Sequence, residues 1–265
     1  MKFNLNSFLM SVSLALDMSE KEILGVDIYH ARKVAYVSLR IAQSLGLKDD
    51  ECFDICALAI LHDNGITEAV LKSNISINKG DFYQLENIVE HCSIGEKNIK
   101  NFPFFTNTKN VIMFHHENYD GSGFFGKKGD DTPLLAQIIS FADELDFNFN
   151  LSDDTLDNRN KIENYVKENI NIKHSKTLAD IFLKLSTARA FWLDQQDITI
   201  VKSIQKYLPE ISIEIDLENL FEMSKVFSKI IDSKSSFTSR HTSGLINKAE
   251  EMAHYYNFDE IDFSN

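Results

Sequence analysis

The sequence of 265 residues predicts an all-α protein, a helical bundle, on three observations. It holds only 3 prolines, and its long stretches of leucine, isoleucine, alanine, lysine and glutamate are rich in good helix formers. His30, Val34, Val37, Ile41 and Leu45 recur at helical spacing on one face, with Gly46 placed to stop that helix. Cys52 to His62 is apolar nearly all round, which marks a buried helix.

The elements follow in order. Phe8 to Leu16 is a first apolar stretch. Asp49-Asp50 offers an N-cap for the helix from Cys52 to His62, and Asn64-Gly65 breaks it, so His62 and Asp63 sit at its C-terminal end. Asn74 to Gly80 is loop-like; Asp81 to Ile99 reads as a helix with His91 near its middle. Val111 to His116 reads as a short helix running into the loop Glu117 to Gly123, where Asp-Gly and two close glycines favour turns. Pro133 suits the first turn of a helix that carries Ile138, Phe141, Ala142 and Asp143. Asp153 to Asp194 is helical in pattern, with Phe191-Trp192 as core residues. Ile198 to Val201 and Ile211 to Ile215 alternate and are expected to be extended; Leu217 to Ile231 returns to helix.

Composition excludes several classes. No apolar run reaches the ~18 residues that span a bilayer. Met1-Lys2-Phe3-Asn4 lacks the layout of a secretion signal, so the chain reads as cytoplasmic. A net charge of −13 argues against a nucleic-acid polymer as partner, while an anionic substrate is compatible if metals supply positive charge locally. The cysteines Cys52, Cys56 and Cys92 are odd in number and lack zinc-type spacing. The first two read as reduced, half-buried helix residues. Cys92 follows His91 and is open to oxidation, but its plainer reading is structural.

Function is suggested by an ordered set: His30, His62-Asp63, His91, His115-His116 and Asp143. Imidazole and carboxylate suit iron, manganese, zinc or nickel. An aspartate directly after a histidine can bridge two metals, and a metal pair about 4 Å apart clamps both the attacking and the leaving oxygen of a phosphoryl displacement. Taken singly, His30 reads as a satisfied core histidine and His62-Asp63 as a polar helix end. Taken in order, the set points to a metal-dependent phosphohydrolase built from helices converging on one point.

A partial repeat lies at the end of the chain. Ser13-Leu14-Ala15-Leu16-Asp17 followed by His30 is echoed by Ser228-Lys229-Ile230-Ile231-Asp232 followed by His241, and Val34, Ile41 and Ala42 match Leu245, Met252 and Ala253. The second copy stops before any His-Asp pair, so either the natural chain continues past Asn265, the reading favoured, or the tail is a remnant with another role; His241 is expected to be structural. The domain layout read from this is a metal-binding core over 1–150, a helical extension with short extended stretches over 151–216, and the start of a second, truncated unit over 217–265. The other copy, or a dimer, is the expected protein partner.

From about Phe8 to Asp146 the chain resembles the HD superfamily of metal-dependent phosphohydrolases, and specifically its HD-GYP branch. The resemblance rests on His30-Ala31-Arg32-Lys33-Val34, His62-Asp63-Asn64-Gly65, Glu90-His91, His115-His116-Glu117-Asn118-Tyr119-Asp120-Gly121-Ser122-Gly123-Phe124-Phe125 and Ala142-Asp143-Glu144-Leu145-Asp146. It implies a helical bundle around a metal cluster and hydrolysis of cyclic di-GMP. It makes His30, His62, Asp63 and Asp143 ligands of one metal and Asp63, His91, His115 and His116 those of a second, with Asp63 bridging. Val26 stands where trinuclear members place a glutamate, so two divalent ions are expected, iron or manganese first, with zinc, nickel or magnesium also accepted. The loop with Asp120, Gly121, Gly123 and Phe124 would border the substrate. Glu117 is either an outer partner orienting a histidine or a solvated carboxylate; Asp146, one turn after Asp143, is expected as an outer partner.

The chain departs from that pattern. Gly-Tyr-Pro reads Gly123-Phe124-Phe125, keeping a stacking surface but losing a hydroxyl and a proline. Ile66 replaces a lysine that contacts substrate phosphate. No arginine follows Asp143 closely, and Arg159 is too distant to substitute; Lys127-Lys128 is the nearest cationic pair and either replaces those contacts or is a solvated turn. The expected function is a phosphodiesterase acting on a cyclic dinucleotide, cyclic di-GMP first, by attack of a metal-bridging hydroxide that Asp63 positions or deprotonates. The alternatives are a metal-binding regulatory module with weak catalysis, and a phosphohydrolase for another nucleotide.

Overall fold

The computed structural model describes residues 2–24, 29–73 and 88–216, with isolated positions 220, 221, 223, 224, 248, 251, 252 and 255. Ten helices are present among them: α1 (Leu5–Leu24), α2 (His30–Leu45), α3 (Asp49–Ile60), α4 (Ile66–Ser73), α5 (Ile88–Asn98), α6 (Leu134–Asn148), α7 (Leu156–Glu168), α8 (Lys176–Ser186), α9 (Arg189–Leu193) and α10 (Ile200–Tyr207). The predicted mostly helical bundle is the architecture observed. No described helix is long and apolar enough to cross a membrane. Val26, the loop expected from Asn74, and nearly all of the proposed second unit lie outside the described residues.

Helix α2 is the hub. Every side chain from His30 to Leu39 is buried, and the helix packs against α1, α3, α6, α8 and α10. A helix enclosed this way must bury charge. Arg32 donates from Nε to Ser13 Oγ at 2.9 Å and lies 3.4 Å from Asp17 Oδ2, tying α1 to α2. Buried charges persist when paired in this manner. The helix ends, as predicted, at Gly46, whose N–H reaches Gln43 O at 3.0 Å in a left-handed cap.

Several boundaries differ from expectation. Asp49 and Asp50 do not cap α3 but form its first turn, where carboxylates favour the positive helix end; the return bond is the Lys48 N–H to the Glu51 carboxylate at 3.0 Å. Helix α5 is described from Ile88 and carries His91, as read; residues 81–87 of the expected helix lie outside the described residues. Val111 to His116 is a run of turns, not a helix. Asn110 has φ 65°, and the Glu96 carboxylate takes the N–H groups of Asn110 at 2.5 Å and Met113 at 3.0 Å. Pro133 stands just before α6 as its N-cap. Ile200 and Val201 belong to α10 rather than to an extended segment. Ile200 and Ile204, four residues apart, are its buried stripe, whereas Ile198 is 85% exposed. Alternation over four residues was too short to separate the two periods.

Ser212–Glu214 is extended, as read, and pairs antiparallel with Lys2–Asn4, Phe3 opposite Ile213. Asn6 reinforces this closure by donating to Pro209 O at 2.8 Å and accepting the Ile211 N–H at 3.0 Å. Trp192 is fully buried and donates to Ser186 O at 2.8 Å. Cys52 and Cys56 are free and buried, deeper than half-buried.

The fully buried Asp54 on α3 accepts the N–H groups of Phe105 at 3.0 Å and Thr106 at 2.7 Å and the Thr106 hydroxyl at 2.7 Å. Asp54→Ala strands these donors. A loss of about 2–4 kcal/mol is expected in urea unfolding, with an unchanged m-value. A loss below about 0.5 kcal/mol would contradict it.

Candidate metal centre

The seven residues of the ordered set meet at one end of α2. His30 is the first residue of that helix, His62 and Asp63 lie in the turn after α3, His91 is on α5, His115 and His116 end the run of turns, and Asp143 is on α6. Two close backbone approaches make this meeting possible. At Gly65 an added Cβ would stand 2.2 Å from His91 O and 2.7 Å from Gly95 N, so only glycine lets the turn after α3 rest on α5. Asn64 crosses the same seam, donating to Leu61 O at 2.7 Å and Gly95 O at 3.3 Å. The sequence reading missed Gly95, although it stands four residues after His91, on the same helical face.

The rings are oriented from behind. His62 Nδ1 donates to Ala59 O at 2.8 Å and His115 Nδ1 to Ile112 O at 2.6 Å. A carbonyl can only accept, so each neutral ring carries its proton on Nδ1 and presents a bare Nε2 to the centre. His30 is held by Asp146, Oδ2 to Nδ1 at 2.8 Å. Its Nε2 points at Asp143 Oδ1, 3.2 Å away.

What faces these nitrogens is more acceptors. His62 Nε2 is 3.3 Å from Asp63 Oδ2 and 3.6 Å from Asp143 Oδ1. On the other side Asp63 Oδ1 is 3.4 Å from His91 Nε2 and 3.6 Å from His115 Nε2. His91 Nε2 lies 3.4 Å from His115 Nε2 and 3.2 Å from His116 Nε2. His62 Nε2 and Asp63 Oδ1 are buried without a hydrogen-bond partner. Lone pairs gathered in a dry site repel unless cations or protons lie between them. The donor set therefore fits divalent metal, and the two oxygens of Asp63 face two separate groups of rings.

Burial raises the carboxyls of Asp63 and Asp143, but the protonated forms of neighbouring imidazoles more than offset it, His62 and His115 for Asp63 and His30 and His62 for Asp143. Both carboxyls are held well below the ordinary carboxylate range and are anionic. Against burial, the carboxylates in turn raise His30 and His62 well above the usual imidazole value, so protons stand in for the positive charge a metal would bring. Burial, with His115 and His91 beside it, holds His116 well below the usual imidazole value. Burial pushes the Cys92 thiol up, and His115 and His91 more than offset this, bringing it to about 6. Cys92 had been read as structural; its place directly after His91 was the one sequence signal of its position here.

The loop residues are arranged differently. Glu117 is buried and its carboxylate accepts the N–H groups of Phe125 at 2.6 Å and Lys127 at 2.5 Å, so it orders the loop backbone; neither expected role, orienting a histidine or standing in solvent, matches these bonds. Gly123 lies flat on residues 116–118, where a Cβ would meet Glu117 Cα at 2.6 Å. Phe124 is 50% exposed, its ring 5.5 Å from that of His116 at the edge of the cluster. Asp120 is exposed, accepting the Ser122 N–H at 2.8 Å beside Gly121 with φ 85°. Lys127 places its ammonium 5.6 Å from the centre of the Phe114 ring.

Residues 21–151 match the family described as the HD domain. A 3'3'-cGAMP-specific phosphodiesterase 1 of Vibrio cholerae is 22% identical over 94% of this chain and 58% of its own length. A cyclic di-GMP phosphodiesterase of Thermotoga maritima is 29% identical over 44% of this chain and 33% of its own. The chain thus spans little more than half of the first relative and a third of the second. Among solved structures, a cyclic GMP-AMP-specific phosphodiesterase of V. cholerae shares the fold, with a TM-score of 0.77 at 18% identity, covering 99% of this chain and 68% of that one.

Gly65→Ala should separate the turn after α3 from α5, because the atoms its methyl meets are backbone. We expect a loss of at least about 1–3 kcal/mol in denaturant unfolding, together with reduced metal uptake measured by elemental analysis. Wild-type stability and metal content in that variant would show that the seam does not set the site.

Proposed function

We propose, for a chain that belongs to the HD domain family through residues 21–151 and is homologous to HD-GYP phosphodiesterases, that it hydrolyses a phosphodiester bond of a cyclic dinucleotide. The observation that carries this reading is the pair of buried, unpartnered acceptors, His62 Nε2 and Asp63 Oδ1, turned toward further ring nitrogens from behind-fixed histidines. In this reading His30, His62, Asp63 and Asp143 hold one divalent ion and Asp63, His91, His115 and His116 a second, iron or manganese in the first instance. Bound divalent ions supply positive charge to the phosphoryl oxygens and acidify a water.

The chain's own residues do the rest. Asp63, anionic and central, positions the attacking water. Asp146 holds the proton of His30 on Nδ1, so that Nε2 stays available. Phe124, exposed beside His116, offers its face to a base of the substrate. Glu117 keeps that loop in place through two backbone bonds.

Cyclic di-GMP was the substrate expected from the sequence. The relative that aligns with 94% of the chain is named for 3'3'-cGAMP, and we place that dinucleotide first. A regulatory role is favoured by one observation: at the two positions weighed from the resemblance, Ile66 offers no cation and Arg159 is engaged elsewhere. Ile66 is 6% exposed, its N–H bonded to Asp63 O, and Arg159 lies 3.4 Å from Asp154 and 5.6 Å from the centre of the Trp192 ring.

The test is hydrolysis by anaerobically purified, metal-analysed protein of 3'3'-cGAMP, cyclic di-GMP and an unrelated phosphodiester. Turnover of a cyclic dinucleotide, falling about 10²-fold or more in His62→Ala, is expected, since each 1.36 kcal/mol of lost charge stabilisation is tenfold in rate. Stoichiometric metal and dinucleotide binding without turnover would replace the enzyme with the regulatory module.

A further inference from the structure

Among the described residues, Cys92 places a thiol beside the cluster. Its Sγ lies 3.6 Å from His91 Nε2, and His91, Cys92, His115 and His116 each offer a donor atom within 4.8 Å of all the others. A tetrahedral site with metal–nitrogen bonds of about 2.0–2.1 Å and a metal–sulfur bond of about 2.3 Å has nitrogen–nitrogen edges of about 3.3–3.4 Å and nitrogen–sulfur edges of about 3.5–3.6 Å. The distances here are 3.2 and 3.4 Å between nitrogens and 3.6 Å to sulfur. A second observation points to a ligand at the same place. Asp63 Oδ1, buried and without a hydrogen-bond partner, faces His91 Nε2 at 3.4 Å. Cys92 is itself fully buried, so its sulfur is sheltered from solvent and directed to these rings. The other two thiols, Cys52 and Cys56, are on α3 within the apolar core.

We infer that Cys92 is a thiolate ligand of the metal held by His91, His115 and His116, making that position a three-histidine, one-cysteine site for a borderline-soft divalent ion. Asp63 Oδ1, 3.4 Å from His91 Nε2, would then be a fifth donor that expands the four-donor set. The inference rests on the metal centre proposed above. Loading forms the sulfur–metal bond and releases the thiol proton to solvent. Thiolate shifts preference toward zinc or ferrous ion and away from manganese and magnesium, which favour oxygen. It also lowers the net charge of the filled site by one, so this metal draws less electron density from a phosphate than one held by imidazole alone.

Cobalt(II) loading of the full chain tests this without any activity assay. We expect a sulfur-to-cobalt charge-transfer band in the near ultraviolet, kept in the Cys52→Ser, Cys56→Ser double variant and lost in Cys92→Ser. Cys92→Ser should also bind zinc at this position at least about tenfold more weakly, the smallest loss typical of even an outer partner. X-ray absorption at the zinc edge of the wild-type protein supplies a readout that needs no variant, with one sulfur neighbour at about 2.3 Å expected. Metal uptake with only nitrogen and oxygen neighbours, or a band that persists in Cys92→Ser, would overturn the thiolate ligand and leave the metal centre standing. Failure of the wild-type protein to take up any metal would overturn both.

Discussion

Four buried imidazole rings, a half-buried fifth at His116 and two carboxylates meet at one point, and their lone pairs face one another. That concentration of acceptors is the constraint on which the surrounding structure depends. It is tolerable only with positive charge at its centre, and it is useful only if each ring is held so that the bare nitrogen points inward. The protein meets the second requirement with fixed groups: the carbonyls of Ala59 and Ile112 and the carboxylate of Asp146. Two of these three are backbone atoms within three residues of the ring they orient, so the local turn of the chain sets the chemistry of the nitrogen.

Rigid support comes from α2 and from the glycine seam. Helix α2 is enclosed by five other helices, which fixes His30 at its end and leaves little freedom for the elements that converge there. Gly65 brings α5 close enough for His91 to share Asp63 with His62 from the opposite side. The loop that follows His116 is tied to the centre through Glu117, whose carboxylate spans Phe125 and Lys127. A substrate held by Phe124 would therefore be referenced to the same backbone that carries two of the histidines. Cys92 extends this logic, because the residue that carries one ring also delivers a sulfur to the next.

Much of the fold was legible in sequence. The 3.6-residue spacing of His30, Val34, Val37, Ile41 and Leu45 located α2, and Gly46 located its end. Short segments were the failures. Ile198 to Val201 alternates like a strand, but its burial is set by Ile200 and Ile204 in α10. Val111 to His116 looks helical, but the Glu96 carboxylate takes the N–H of Met113 within it and of Asn110 just before it. The first competitor is a helical period that needed a window reaching Ile204, and the second is a carboxylate more than a dozen residues upstream.

The sequence by itself determined the helical class and the order of the metal-type residues, because both are written in local periodicity and in residue identity. It left open which of them meet and in what protonation state. The resemblance implied that Asp63 bridges and that Asp146 is an outer partner; only the tertiary structure decided which ring nitrogens each Asp63 oxygen faces, that the ring Asp146 serves is His30, that Glu117 serves the loop, and that Cys92 stands with the histidines. Most of those relations join different chain segments, His30 to Asp146 across 116 residues among them. They arise when packing brings α2, α5, α6 and the turn after α3 to one point, and residue spacing carries no record of such distances.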